Sequence, residues 1–419
     1  MKRTHLMIGL AAALTALQSC KSKDVFDEEE YRQIIKQESP VGVIDPAQDW
    51  VTTRHYTVNV TVSDDMRAQQ LFILAPGWQL SPYEILKKLY LHEAQSVTAT
   101  FAAPVAVTQF YAVLYDGQTY RLKPFTASQT TVSFTSDDPG SARSSLAMKP
   151  QGYTFCFEDG MPEPGDYDYN DLVLRVTHQR TGERELKLAV TLAAVGSQTA
   201  MGAAMHLNGI KFSDIENVTT HGSEQQFVGN YPLQRLYIES DDTLQAARNG
   251  DAVIALFEDA HWAIDGYNIN TDYGVILQRN TYNTTLSKTS TALQRSPRTV
   301  TFTVTFKEAA VLDRLTMDDL DVFMLKDYSG SIWEVHIPVY TTAQVFWEYN
   351  LPNVPILPWA ICIPIDQFSY PLEGNYLGMY KDNILSGAYM EQGHSFGEWA
   401  ANKTMAQDWY YYPTQNMVY

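Results

Sequence analysis

His55-Tyr-Thr-Val-Asn-Val-Thr-Val62 and, far downstream, Val300-Thr-Phe-Thr-Val-Thr-Phe306 alternate with a period of two. Successive side chains of a strand point to opposite faces, so such a pattern buries one face and wets the other. Around the first stretch, Gln70-Leu-Phe-Ile-Leu74, Thr98-Ala-Thr-Phe101, Gln109–Tyr115 and Thr130–Phe134 are short apolar or alternating runs of strand length. Asp116-Gly117, between Leu114-Tyr115 and Thr119-Tyr120, predicts a hairpin turn, because both positions accept positive φ. One helix is expected among these strands. Ser81-Pro82-Tyr83-Glu84 offers a cap, a proline at the first helical position and a capping-box Glu before Ile85, Leu86, Leu89 and Tyr90. Residues 48–134 thus predict a small β-sandwich with a helical insertion.

Thr135-Ser-Asp-Asp-Pro-Gly-Ser-Ala-Arg-Ser-Ser145 concentrates turn formers without an apolar period and reads as a linker. The chain beyond it is again strand-dominated, with candidates at Leu172–Thr177, Glu185–Ala194, Val253–Phe257, Gly274–Gln278, Arg298–Phe306, Val322–Leu325 and Ile332–Pro338. Their long connections favour a decorated sandwich or jelly roll over an up-and-down barrel. Ser395-Phe-Gly-Glu398 predicts a short capped helix near the end. The expected fold is mainly β. An N-terminal β-sandwich domain (45–148) precedes a larger decorated β-sandwich or jelly-roll domain (149–419).

The N-terminus predicts a destination. Lys2 and Arg3 precede an apolar run, Met7–Leu17, too short to span a membrane in the mature protein. Leu17-Gln18-Ser19-Cys20 then places a small residue before a cysteine, as in a bacterial lipoprotein signal cleaved after residue 19 and lipidated on Cys20. Several acyl chains on one cysteine are enough for stable anchoring. Residues 20–44 form the expected tether. Lys21, with Asp24 close behind the lipidated cysteine, resembles the surface-export signal of Bacteroidetes-type lipoproteins, which implies the bacterial outer membrane, lipid-anchored and facing the exterior.

The stretch richest in chemistry is Phe157-Glu-Asp-Gly-Met-Pro-Glu-Pro-Gly-Asp-Tyr-Asp-Tyr-Asn-Asp-Leu-Val-Leu174. Glu158, Asp159, Asp166, Asp168, Asn170 and Asp171 offer six oxygen-bearing side chains, and no Lys or Arg stands among them. Hard cations such as Ca²⁺ take carboxylate and amide oxygens from flexible loops. Asp166-x-Asp168-x-Asn170 matches the start of an EF-hand loop, but its sixth position is Asp171 and its twelfth Thr177, so it is not one. In an extended loop, 166, 168 and 170 would share a side, with Glu158 or Asp159 returning to complete the shell. A polar turn held by Asx-type hydrogen bonds is the alternative. Phe157-Glu-Asp159 recurs as Phe257-Glu-Asp259, either by chance or to face the same ion.

A net charge of −18, made more negative by loss of Lys2 and Arg3 with the signal, argues against nucleic acid as partner. A neutral glycan or a surface protein is compatible with it. Cys156 and Cys362 stand in strand-like runs, either as buried thiols or as a disulfide. No Gly-x-Ser-x-Gly elbow, His-Glu-x-x-His or phosphate-binding glycine loop occurs. His178 and His336, on predicted strands, read as structural. Trp262, Trp333 and Trp347 are candidates for stacking on sugars.

These residues carry a likeness. Phe157-Glu-Asp with Gly165-Asp-Tyr-Asp-Tyr-Asn-Asp-Leu-Val resembles the LruC-type domain of Bacteroidetes surface lipoproteins, a domain of unknown function. Ala255–Ala260, Glu334–Pro338, Pro358–Ile361, Tyr370-Pro-Leu-Glu-Gly374, Phe396–Trp399 and Asp408–Tyr410 fit it too, and Ile44-Asp-Pro-Ala-Gln-Asp-Trp50 is similar to the motif opening many such proteins. The resemblance implies an all-β surface lipoprotein without assigned catalysis, with calcium held at the acidic motif. The function expected is a non-catalytic, calcium-stabilised binding or adhesion module. A structural or accessory subunit of a surface appendage or envelope complex is the alternative, and a glycan-active enzyme the third.

Overall fold

The computed structural model describes residues 41–77, 82–92, 95–142, 146–161, 165–222, 250–257, 259–265, 282–285, 293–328, 331–340 and 357–419, with isolated positions between 29 and 39. The signal, Cys20, Ser81, Glu258, the strand expected at 274–278 and Trp347 lie outside these residues.

The protein is mainly β. In chain order the strands are β1 (Thr53–Val62), β2 (Gln70–Ala75), β3 (Tyr83–Tyr90), β4 (Ser96–Pro104), β5 (Gln109–Tyr115), β6 (Thr119–Thr126) and β7 (Thr131–Phe134). There follow β8 (Gly140–Ala142), β9 (Met148–Phe157), β10 (Leu172–Arg180), β11 (Glu185–Val195), β12 (Met201–Lys211), β13 (Ile215–Gly222) and β14 (Asp251–Phe257). The last are β15 (Arg298–Phe306), β16 (Leu320–Tyr328), β17 (Ser331–Val335), β18 (Ala360–Ile363), β19 (Met379–Lys381) and β20 (Ile384–Ser386). Short helices α1 (Ala260–Asp265), α2 (Ala309–Arg314) and α3 (Phe396–Ala401) complete the set.

A long sheet in the order β13-β15-β11-β10-β9-β3-β2-β5-β6-β8 runs through the molecule, with β18 also pairing β9. Sheet β4-β1-β7 covers its β3-to-β8 end, and Val58, Val60, Leu71, Ile73, Phe101 and Phe110 fill the space between. Sheet β14-β12-β16-β17 covers the other end, over a core that includes Leu174, Leu188, Phe302, Met205 and Val322. The stretch read as a linker holds β8, and the sheet is continuous beyond it through the parallel pairing of Tyr83–Ile85 with Met148–Pro150. β9 and β10 are covered on both faces. Behind them lies an aromatic layer of Phe368, Tyr389, Phe396, Trp399 and Trp409.

The alternating stretches behave as their pattern requires. In β15, Val300, Phe302, Val304 and Phe306 are buried and the residues between them are half-buried. Asp116 closes the β5–β6 hairpin by accepting from the backbone of Gln118 (2.9 Å) and Thr119 (2.8 Å), with Gly117 at φ 101°. Ser395 caps α3 in a complete capping box with Glu398.

The helix expected at 81–90 is instead strand β3. The i, i+3 spacing of Leu86 and Leu89 comes from a β-bulge, since the register with β2 slips between Ile73 and Leu74. A bulge inserts one residue and resets the alternation, so both leucines enter the same core. Hydrogen bonding to β2 and β9 on its two sides outweighs the local helix signal. Cys156 and Cys362 are free thiols. Cys156 lies opposite Ile361, and Cys362 opposite Phe155, so the two thiols leave their adjacent strands toward different cores.

Candidate metal centre

The acidic centre sits at the end of β9 and in the loop leading to β10. Glu158 is completely buried, and its backbone N–H donates to the Trp359 carbonyl (2.8 Å). Its carboxylate accepts the backbone N–H of Tyr167 (2.9 Å) and of Tyr169 (2.5 Å). Two donors converge because Tyr167 and Tyr169 both occupy the left-handed region, at φ 59° and 54°. Bulky residues rarely adopt it, and each such position costs of order 1–3 kcal/mol unless its surroundings enforce it. Here the aromatic layer does so. Both rings are buried in it, and the Tyr169 hydroxyl donates to the Pro358 carbonyl (2.6 Å). The loop is therefore not the extended segment that the alternation of 166, 168 and 170 predicts. Gly165 is required beside it, since a Cβ there would stand 1.9 Å from Glu158 Oε2.

Two overlapping trios of carboxylates result: Glu158, Asp166 and Asp171, and Asp166, Asp168 and Glu373. Within each trio, one oxygen per residue lies within 4.8 Å of the others. Asp166 belongs to both and is exposed, whereas Asp168 is 1% exposed. Asp166 and Glu158 stand within hydrogen-bonding distance, which two carboxyls tolerate only by sharing a proton or a cation. Burial, then Asp171, Asp168 and Asp166, push the Glu158 carboxyl far up from the usual range. Burial followed by Asp159 does the same to Asp171, and burial followed by Asp166 and Glu373 pushes Asp168 up to about 8. Glu373, half-buried, moves upward too, first by burial and then by Asp166. Among the described residues, none of these leading contributions is a cation.

Four of the six expected residues, Glu158, Asp166, Asp168 and Asp171, are brought together in this way. Asn170 is buried beside them. Its Nδ2 donates to the Pro371 carbonyl (3.2 Å), and its Oδ1 has no hydrogen-bond partner among the described residues. Asp159 turns aside: its carboxylate accepts the Ser197 and Thr199 hydroxyls, while its N–H donates to Asp171 Oδ2 (2.7 Å). Asp259 does not join the centre. It accepts the His261 and Trp262 N–H groups and so caps α1.

Glu373 was not foreseen. It arrives from a distant segment that runs along the loop, where Gly374 N–H donates to Asp168 Oδ2 (3.0 Å) and Leu377 N–H to the Tyr167 carbonyl (2.9 Å). Thr284 Oγ1 donates to its carboxylate (3.3 Å). Its one sequence signal was a place in Tyr370-Pro-Leu-Glu-Gly374, where Gly374 takes φ 73°. The carboxylate-oxygen donor set fits a hard divalent ion better than zinc or copper.

A family model described as a domain of unknown function (DUF4842) matches residues 184–410, more than half of the chain. The chain belongs to this family. The matched segment of the DUF4842 protein contains Glu373, while the acidic loop lies just before it. A solved structure, that of a candidate lipoprotein from Bacteroides ovatus, is similar over 84% of this chain and 99% of its own, at 16% identity and a TM-score of 0.46. No curated protein matches the chain. Among the described residues, no helix is long and apolar enough to cross a membrane.

Proposed function

We propose that this DUF4842 protein is a lipid-anchored surface protein whose body is a non-catalytic binding or adhesion module, rigidified by Ca²⁺ at the acidic centre. The observation that carries the calcium reading is the pair of overlapping carboxylate trios, each with one oxygen per residue within 4.8 Å of the others and each containing one fully buried member, Glu158 or Asp168. Like charges so placed repel unless protons or cations intervene. Glu158, Asp166, Asp168, Asp171 and Glu373, with Asn170, would hold the ion. Because Asp166 is shared by both trios, the centre suits one ion with a proton retained, or two ions side by side.

The chemistry supplied is neutralisation, and its consequence is mechanical. Glu158 ends β9, Asp166–Asp171 lead into β10, and Glu373 belongs to the C-terminal segment packed behind both. An ion joining these three pieces would hold the surface they form in one shape. The anchoring half of the reading rests on Leu17-Gln-Ser-Cys20 and on the LruC-type likeness.

Two experiments test these halves. Calcium titration of the chelator-treated intact chain by calorimetry, with parallel melting curves, should show saturable binding that raises Tm, as any native-state ligand must. Absence of both heat and shift would refute the calcium reading and leave a polar turn. Separately, Cys20→Ala should release the protein from the membrane fraction; unchanged membrane association would refute the anchor.

A further inference from the structure

The chain has 48 Asp and Glu against 30 Lys and Arg, so a concavity whose charged walls are cationic runs against its composition. One such cavity, of about 380 Å³, lies where β3 of the N-terminal sandwich meets the end of β10 and the turn after α2. Lys87, Lys88, Tyr90, His178, Arg180 and Leu315 are among its walls, and no Asp or Glu is. Two acids reach its walls from outside: Asp313 pairs with Arg180 (2.6 Å) and is half exposed, and Glu185 accepts the Thr181 hydroxyl.

The four basic groups divide the work. Arg180 is held by four of its five N–H groups: its guanidinium donates to the carbonyls of Lys88 (3.2 Å), Gly182 (3.3 Å) and Glu183 (2.6 Å) and to Asp313. It is thus a fixed positive charge. Lys87, 5% exposed, uses two of its N–H groups on the Leu312 and Leu315 carbonyls (3.3 and 2.7 Å) and retains a third. The Lys88 ammonium stands over the Tyr90 ring at 4.9 Å, with one long bond to the Arg180 carbonyl (3.5 Å). His178 bonds the Gln151 backbone, and its Nδ1 is shielded from solvent with no partner among the described residues.

Gathering cations in a partly desolvated wall is unfavourable without a counter-charge. The cost is visible in Lys87, pulled down to about 8 by burial and Arg180, and in His178, pulled down to about 4 by burial and Lys87. An anion would relieve both. Lysine N–H groups suit carboxylate and phosphate oxygens, and a cleft of one sign concentrates such ligands. The volume is that of a small-molecule pocket rather than a single-ion site. We propose that this cavity binds a sugar-sized organic oxyanion, a carboxylate or a phosphate ester. Lys88 touches the ligand, while Lys87 and Arg180 supply the field. The site shares no residue with the acidic centre.

Calorimetric titration of the intact chain in detergent, at fixed ionic strength, with glucuronate, glucose 6-phosphate and neutral glucose tests this. At least one of the anions should bind saturably and glucose should not; the two anions distinguish carboxylate from phosphate recognition. Lys88→Gln, whose melting curve should stay unchanged, should weaken that binding roughly tenfold, as expected for loss of one charge-assisted bond. EDTA should leave it intact. Heats no larger than those of glucose up to about 10 mM of both anions would overturn the proposal, since even weak affinity registers there. So would binding unaffected by Lys88→Gln, or binding lost to the chelator.

Discussion

Asp168→Asn separates a calcium centre from a hydrogen-bonded turn by the sign of its effect. The amide keeps the shape of the side chain and one oxygen to accept from Gly374 or Asn170. What it removes is a charge facing Asp166 and Glu373, with one oxygen from each residue within 4.8 Å of the others. At that separation and an effective dielectric of about 20, each like-charge pair repels by roughly 3 kcal/mol. Partial protonation relieves some of this in the wild type, since Asp168 is pushed up to about 8. The lost acceptor returns about 1 kcal/mol of the gain. In chelator, the variant should therefore be more stable than wild type by roughly 1–3 kcal/mol, a rise of a few degrees in Tm. With calcium present the order should invert. A wild-type site at a thousand times its Kd gains about 4.1 kcal/mol, most of which a neutral ligand forfeits. The assay is a pair of melting curves for each protein, in EDTA and in saturating calcium. An Asp168→Asn protein melting below wild type by the same margin in both buffers would refute the reasoning.

Three further outcomes follow from the same structure. Burial opposes ionisation of His336, but Asp321 (3.0 Å) and Glu334 (3.0 Å) raise it to about 9, so the cation stabilises the fold. Because the folded value lies above the unfolded 6.5, this contribution, roughly 3 kcal/mol, is complete below pH 6.5 and lost as pH rises through 9. Melting curves from pH 6 to 10 should show that decline in wild type and a shallower one in His336→Gln; equal slopes would disprove it. Gly165→Ala should destabilise by roughly 3 kcal/mol, because its Cβ would meet the buried Glu158 carboxylate at 1.9 Å; a denaturation midpoint matching wild type would show that the loop yields. Finally, oxidation of the native protein should produce no intramolecular disulfide, since the Cys156 and Cys362 thiols leave different faces of adjacent strands. A loss of two mass units on non-reducing mass spectrometry would contradict this register.

Strand identity was legible wherever it depended on near neighbours. The alternation of Val300–Phe306 needs only a sheet with one core face, and β15 supplies it. The capping box at Ser395 and the turn at Asp116-Gly117 are likewise closed by residues a few positions away. Six oxygen-bearing residues packed into 158–171 marked the acidic centre for the same reason. What failed was local inference about β3, because a bulge in its pairing with β2 imitates helical spacing. Long-range placement was not legible at all. Glu373 reaches Asp166 and Asp168 only because the C-terminal segment runs along the loop, bonded to it by Gly374 and Leu377. The left-handed Tyr167 and Tyr169, which aim two N–H groups at Glu158, depend on an aromatic layer assembled from residues beyond 357. The basic cavity joins β3 to β10 across the parallel pairing of β3 with β9. Sequence alone determined that the chain is mainly β, where the strictly alternating strands lie and where the carboxylates are dense, since propensity and pattern act over a few residues. Tertiary structure decided which distant charges meet, because that depends on the path of the whole chain.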